Sequence, residues 1–242
     1  MGFGSSKFKF KPLMVGKKTP SGRNVNSKII FKSRGSGVKS NTYLIDYSRT
    51  WTKKLAVSLN ILKNPKRSAF ISLIKYSNGT FSYILASSTL KPGDLTLSTA
   101  LPTMFLVKLN DIACNVLLKY VDFTATFFNI ELILGTGGKY ARSAGTFCRL
   151  LSSNLEKDII KISLPSGETK IVSQYCMVTL GRSSNIHHFK EFFVKAGYYR
   201  NLGFRPKVRG VAMNPIDHPH GGRTKTNSPE LTPWGKIAKL NK

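Results

Sequence analysis

The chain has 242 residues, with 38 lysines and arginines against 11 aspartates and glutamates, for a formal charge of +27. That imbalance excludes a neutral free-standing globule and calls for a polyanionic partner. A hydrophobic share of 41% excludes a wholly disordered basic tail. Cys114, Cys148 and Cys176 form no CxxC pair, so neither a zinc site nor a disulfide framework is expected. No apolar run reaches the length of a membrane-spanning helix. No metal or cofactor is implied.

The charge is uneven. Residues 1–54 carry net +12 and residues 181–242 net +9, with only +6 on the 126 residues between them. Two basic ends therefore flank an ordinary middle. Residues 1–40 read as an extended basic arm, rich in Lys, Ser, Gly and Asn. Its start, Met1-Gly-Phe-Gly-Ser-Ser6, matches a myristoylation pattern, but a flexible basic arm is the simpler reading. The lack of any acid before Asp46 also suits an organelle-targeting segment, although no clear cleavage signature follows. Within the arm, Ser21-Gly-Arg-Asn-Val-Asn-Ser-Lys28 and Lys32-Ser-Arg-Gly-Ser-Gly-Val-Lys39 alternate cations with small polar residues. That pattern can track an RNA backbone, with Arg23, Lys28, Arg34 and Lys39 on phosphates and Asn24 on sugar or base edges. A solvated tail is the alternative.

Strand patterning begins near Tyr43–Tyr47. Ala69–Tyr76 and Phe81–Leu85 flank Ser77-Asn78-Gly79-Thr80, which predicts a hairpin with a type I′ turn at Asn78-Gly79. The same residues form a glycosylation sequon, but the turn is the stronger reading. Leu101–Leu134 is a second β-rich region. Asp158–Leu164 and Thr169–Ser173 predict another hairpin around Pro165-Ser-Gly-Glu168. Short strands with frequent turns indicate small barrels or sandwiches. A helix is predicted near Ile186–Ala196, with Gly197 as its terminator and an irregular segment beyond.

Gly135-Thr-Gly-Gly-Lys139 resembles a phosphate loop but fails the required spacing, and Tyr140 stands where Ser or Thr is needed. Its continuation through Arg142, Ser143 and Thr146 could bring backbone amides and a guanidinium fork to phosphates; a tight turn between strands is the plainer reading, and both can hold together. The run Val208-Arg-Gly-Val-Ala-Met-Asn-Pro-Ile-Asp-His-Pro-His-Gly-Gly222 has too much Pro and Gly for a helix or a central strand. His218 and His220 beside Asp217 suggest a general base. No nucleophile or ligand set stands near them in sequence, and RNA contact by the imidazoles is the favoured alternative. His187 and His188 read as a helix surface.

Together these residues resemble the universal large-subunit ribosomal protein two family over about residues 20–240. The run 208–222 and Arg142-Ser-Ala-Gly-Thr146 after Gly137-Gly138-Lys139 carry most of the likeness. Gly22-Arg-Asn24, Arg67-Ser-Ala69, Leu90-Lys-Pro-Gly-Asp94, Lys195-Ala-Gly197, Arg205-Pro206 and Thr232-Pro-Trp-Gly235 support it in order. The resemblance implies a mainly β fold, an OB-like barrel over 41–100 followed by an SH3-like barrel over 101–180. The basic arm (1–40) and a C-terminal RNA-penetrating extension (181–242) with a short helix would flank them. It implies a non-enzymatic constituent of the large ribosomal subunit, near the peptidyl-transferase centre, supporting assembly and subunit association. Its implied partners are large-subunit rRNA, neighbouring ribosomal proteins and the small subunit. By the same likeness and their charge, Arg67, Lys139, Arg142, Ser143, Lys195, Arg200, Arg205, Lys207, Arg209, Asn214, His218, His220, Arg223 and Trp234 join the arm residues as rRNA contacts.

The chain departs from the family where Arg34-Gly-Ser-Gly-Val-Lys39 replaces a Gly-rich stretch ending His-Lys. It departs again at Leu44, Phe128 and Asn201, and at Arg223-Thr-Lys-Thr226. Abundant Phe, Ile, Lys, Ser and Asn suggest an A+T-rich coding source, which resembles a mitochondrially encoded version, with a plastid version second.

Overall fold

The computed structural model describes residues 8–16, 19–49, 54–99, 114–154, 158–190, 195–222 and 229–238. The chain divides into two compact units, one of residues 1–17 with 40–192 and one of 18–39 with 193–242. The first unit is mainly β, built of small antiparallel sheets consistent with an OB-like barrel followed by an SH3-like barrel.

In the first unit β1 (Met14–Gly16) pairs with β2 (Asn41–Tyr43). A four-stranded sheet follows from β3 (Leu55–Lys63), β4 (Phe70–Tyr76), β5 (Phe81–Leu85) and β6 (Leu95–Leu97), in the order β5-β4-β3-β6. The interior strand β4 is a near-continuous apolar run because both of its faces are covered. Ile71 and Leu73 pack with Tyr43, Leu62, Tyr83, Leu85 and Phe128, while Ile74 packs with Ala56, Tyr76 and Ile84. β3 bulges between Ser58 and Asn60. Its buried face carries polar side chains that are satisfied locally. Ser58 Oγ meets Ser72 Oγ at 2.8 Å, and Asn60 Nδ2 donates to the Phe8 carbonyl.

The hairpin at 70–85 forms as expected, but its turn does not. Lys75 pairs with Phe81, the Gly79 N–H donates to the Tyr76 carbonyl, and the Tyr76 N–H donates to the Thr80 carbonyl. Gly79 has φ +85°, whereas Asn78 does not join it at positive φ. This is a three-residue loop closed by a glycine bulge. Asn78 Oδ1 accepts from both the N–H and the Oγ of Thr80, which holds Asn78 as a side-chain cap.

The second barrel-like region comprises β7 (Asn115–Leu117), β8 (Phe127–Phe128), β9 (Ile130–Glu131), β10 (Gly138–Tyr140), β11 (Arg149–Asn154), β12 (Ile159–Ser163), β13 (Thr169–Ser173) and β14 (Met177–Leu180). The sheets run β7-β14-β8, β9-β10 and β11-β12-β13. Leu101–Ala113, the start of the expected second β region, lies outside the described residues. The hairpin β12–β13 forms as expected and repeats the first loop, with the Leu164 N–H donating to Glu168, the Gly167 N–H to Leu164, and Gly167 at φ +86°. The core here joins Val116, Leu118, Phe127, Ile130, Leu150, Ile160, Ile162 and Val178 with Cys114 and Cys148. All three cysteines are buried free thiols, and burial pushes the Cys148 thiol up to about 12.

The predicted helix at 186–196 is replaced. A 3-10 turn spans Ile186–Lys190, residues 191–194 lie outside the described residues, and α1 runs Ala196–Leu202. Gly197 sits inside α1 and Gly203 ends it, with φ +98°. The Gly203 N–H reaches the Arg200 carbonyl and the Phe204 N–H reaches that of Tyr199, while the Tyr199 and Phe204 rings meet edge-on. That is a Schellman stop with its apolar contact, and it selects the later of the two glycines.

The second unit is held by turns and backbone pairing. The Gly35 N–H donates to Gly203, Val38 to Asn201 and Arg205 to Ser33, and Arg34 bridges Phe204. A Cβ on Gly37 would stand 2.5 Å from the Asn201 carbonyl oxygen, so only glycine allows the two segments this close. Residues 18–39, read from sequence as part of an extended arm, thus have partners at 193–242.

Candidate nucleic-acid interface

In the second unit, the pairing of 33–38 with 201–205 brings together cations that are distant in sequence. Arg23, Arg34, Arg200 and Arg205 line a concavity of about 390 Å³ whose remaining walls are Ser21, Gly35, Ser36 and Gly37. A larger concavity of about 690 Å³ has mostly apolar and aromatic walls, including Phe31, Phe204, Met213, Leu231 and Trp234, with Lys32, Lys207, Arg209 and His218. Arg34 and Arg205 line both concavities. The Arg34 guanidinium is held by rings, 4.3 Å from the Phe204 centroid and 5.2 Å from that of Phe31. Guanidiniums held beside exposed rings suit a strand that offers phosphates on one side and base faces on the other.

The run 208–222 folds as a chain of short turns. The Asp217 and His218 N–H groups donate to Asn214, Gly221 to His218, and Gly222 to Met213. His218 is buried. Its Nδ1 accepts the His220 N–H at 3.0 Å, and His220 Nε2 accepts the Leu231 N–H at 2.9 Å. Each imidazole therefore uses one nitrogen as a neutral acceptor. The two rings lie 4.7 Å apart. Burial, then His220, then Lys32 lower the His218 pKa from its ordinary value. A Cβ on Gly210 would stand 2.6 Å from His218 Nδ1, so that glycine makes room for the ring. Asp217 meets Lys32 through its backbone carbonyl.

Lys28, Lys39, Lys195, Lys207, Arg209 and Asn214 are exposed in this unit, and Asn24 is half-buried with its Oδ1 accepting the Lys28 N–H. Arg223 lies outside the described residues. The remaining expected contacts are in the first unit. Arg67 and Arg142 stand 5.0 and 4.8 Å from the Tyr47 ring centroid. Burial raises the Tyr47 pKa against the pull of these two cations. Lys139 and Ser143 are exposed beside them.

The glycine loop spends its amides inside the protein. The buried Glu131 carboxylate accepts the N–H of Gly137 at 2.9 Å, Met177 at 3.1 Å and Gly135 at 3.4 Å, and the Gly138 N–H donates to Tyr47. The amides of Ala144, Gly145 and Thr146 are likewise taken by Ser68, Ser184 and Ser143. This segment forms a tight turn, with the Lys139 and Ser143 side chains exposed. Glu131 went unnoticed in sequence, although a lone acid inside an apolar stretch is a fair signal of an internal cap. Arg49 was also missed. It is buried, with Nε donating to Ser98 Oγ at 2.9 Å, and burial lowers its pKa. Among the described residues no group of three His, Cys, Asp or Glu is arranged to hold a metal ion, and no helix is long and apolar enough to cross a membrane.

Two family models cover nearly all of this architecture. Residues 10–98 match the RNA-binding N-terminal domain of ribosomal proteins L2, and residues 112–235 match the C-terminal domain of the same proteins. The chain belongs to the ribosomal protein L2 family. It is 39% identical to the large ribosomal subunit protein uL2 of Rhodopseudomonas palustris (strain BisB18), over 98% of this chain and 85% of that protein. It is 41% identical to uL2c of Cyanidium caldarium over 94% and 82%, and 40% identical to uL2 of Paracoccus denitrificans (strain Pd 1222) over 95% and 80%. The L2 N-terminal match includes residues 18–39, which here pair with residues from the C-terminal match.

Proposed function

We propose that this chain is a structural constituent of the large ribosomal subunit. It binds large-subunit rRNA near the peptidyl-transferase centre and supports assembly and subunit association, with ribosomal proteins and the small subunit as neighbours. The adjoining concavities of the second unit carry this reading. Four arginines line one and aromatic rings the other, and Arg34 and Arg205 serve both. Arg23, Arg34, Arg200 and Arg205 take phosphates, Phe31 and Trp234 take bases, and Arg67, Lys139, Arg142 and Ser143 add contacts from the first unit. The His218 and His220 nitrogens that remain after the turn is built face RNA groups. Proton transfer by His218 is disfavoured because Nδ1 is already an acceptor within the turn.

We assign the ribosome to the mitochondrial matrix, with the plastid as the alternative, on the A+T-rich composition. Organelle fractionation with an antibody to the chain separates the two. For the RNA role, the full chain should bind large-subunit rRNA with an affinity that falls as salt rises, by about 0.7 in slope per phosphate on single strands and about 0.9 on duplex. Affinity that ignores salt, or sedimentation with free small subunits, would refute it.

A further inference from the structure

Cys148 is fixed in the second barrel-like region by reciprocal backbone bonds with Phe127, and its side chain is buried. The period of an extended chain then puts its neighbours Phe147 and Arg149 together on the opposite side. Arg182 arrives from a separate segment. β14 ends at Leu180, Gly181 turns at φ +96°, and Arg182 Nε donates to the Gly145 carbonyl at 2.7 Å. The Arg149 and Arg182 guanidiniums stand 5.3 and 5.1 Å from the Phe147 ring centroid. They are thus at most about 10 Å apart, a reach that neighbouring phosphates of one strand can share.

Among the described residues neither cation has an ion-pair partner. Acids of the first unit serve backbone and side-chain amides: Asp46 caps Ser48 and Arg49, Asp94 caps Lys91, Glu131 caps the glycine loop, and Asp158 takes Gln174. Among the described residues, the Arg182 side chain donates only through Nε and that of Arg149 donates to no protein acceptor. A guanidinium ordered over a ring with its donors unspent is prepared for a phosphate fork. This cluster also joins the Arg67–Tyr47–Arg142 cluster. Ser68, next to Arg67, accepts the Ala144 N–H, and the following residue, Gly145, accepts from Arg182.

We propose that Phe147, Arg149 and Arg182 form a further RNA-backbone site on the body, continuing the contact made by Arg67 and Arg142. The ligand is the phosphodiester of an unpaired or looped strand, with one base against the Phe147 ring. The site rests on the rRNA reading above and extends it to residues that motif reasoning did not select.

The test uses the full chain and transcribed large-subunit rRNA, titrated over a range of KCl. The Arg149→Gln/Arg182→Gln variant should lower the magnitude of the salt slope by about 1.4, the equivalent of two phosphate contacts on an unpaired strand. Phe147→Leu should weaken binding several-fold with the slope unchanged, since no charge is removed. Ultraviolet crosslinking of the wild-type complex, read by mass spectrometry, should mark the peptide containing Phe147. A double variant with wild-type affinity and slope, or a crosslinked set lacking that peptide, overturns this site while leaving the second-unit interface standing. A wild-type chain whose binding ignores salt overturns the rRNA reading and this site with it.

Discussion

Replacing Glu131 by alanine isolates the contribution of one buried carboxylate to the loop that carries Lys139 and Arg142. Three backbone N–H groups, those of Gly135, Gly137 and Met177, lose their acceptor at once. Two of these bonds are at or below 3.1 Å and the third is long. Hydrogen bonds to a charged group contribute about 1.5–3 kcal/mol each. Removing the carboxylate also removes its own burial cost, so the net loss should be about 3–5 kcal/mol. For a unit of this size that lowers the unfolding midpoint on the order of 10 °C. Glu131→Gln should fall between the two, because its amide NH₂ meets a backbone donor on one side. Urea unfolding measures the loss, and hydrogen exchange at the Gly137 amide localises it. An alanine variant within about 0.5 kcal/mol of the wild type, with Gly137 still protected, would refute the assignment of Glu131 as the loop's anchor.

Gly210→Ala should push the His218 ring out of place, since the added methyl would stand within 2.8 Å of three ring atoms. A cost of about 1–3 kcal/mol and faster proteolysis within 209–222 are expected, and an unchanged digestion pattern would argue otherwise. His218 has a lowered pKa in the fold, so the unfolded chain takes up a proton first as pH drops below about 6.5. The turn should therefore lose stability as pH falls through that region, visible in the His218 and His220 ring resonances. Cys148 behaves oppositely, because the fold keeps its proton up to about 12 while a free thiol releases it near 9.0. Stability should decline as pH rises from 9.0 towards 12, and alkylation at neutral pH should require unfolding. Raising NaCl from about 50 to 500 mM should raise the unfolding midpoint of the RNA-free chain by screening a charge of +27, and a fall would contradict the self-repulsion inferred for it.

Local signals were legible wherever neighbours in sequence decide the structure. Both hairpins lie where alternation and turn residues put them, because a strand pair with a short loop is a local contact. The turn at Asn78 was misjudged since its side chain is satisfied by Thr80, a choice that dipeptide preference does not contain. The helix moved because Gly197 and Gly203 are equally plausible stops by residue type. Only the Tyr199–Phe204 contact distinguishes them. The basic segments could be counted from sequence, yet the four-arginine concavity needs residues 21–37 and 200–205 brought side by side by long-range backbone pairing. Arg49 illustrates the limit of counting, as one of the cations in the basic N-terminal share is enclosed by the protein itself.

The placement of charge follows from a division of labour between side-chain types. Acids are scarce, and Asp46, Asp94 and Glu131 cap backbone amides and so are not spent on surface cations. Ordering an arginine then falls to aromatic rings. Arg34 lies over Phe204, Arg67 and Arg142 over Tyr47, and Arg149 and Arg182 over Phe147. A cation over an exposed ring gains only about 0.5–1 kcal/mol, but its charge is not cancelled and its donors stay available. An ion pair would order the same side chain while competing with phosphate for it. A chain that must be rigid before it meets a polyanion, and fully cationic when it does, is better served by the ring. On this basis we propose that the pairing of arginine with aromatics, more than net charge, marks where on this fold RNA is engaged.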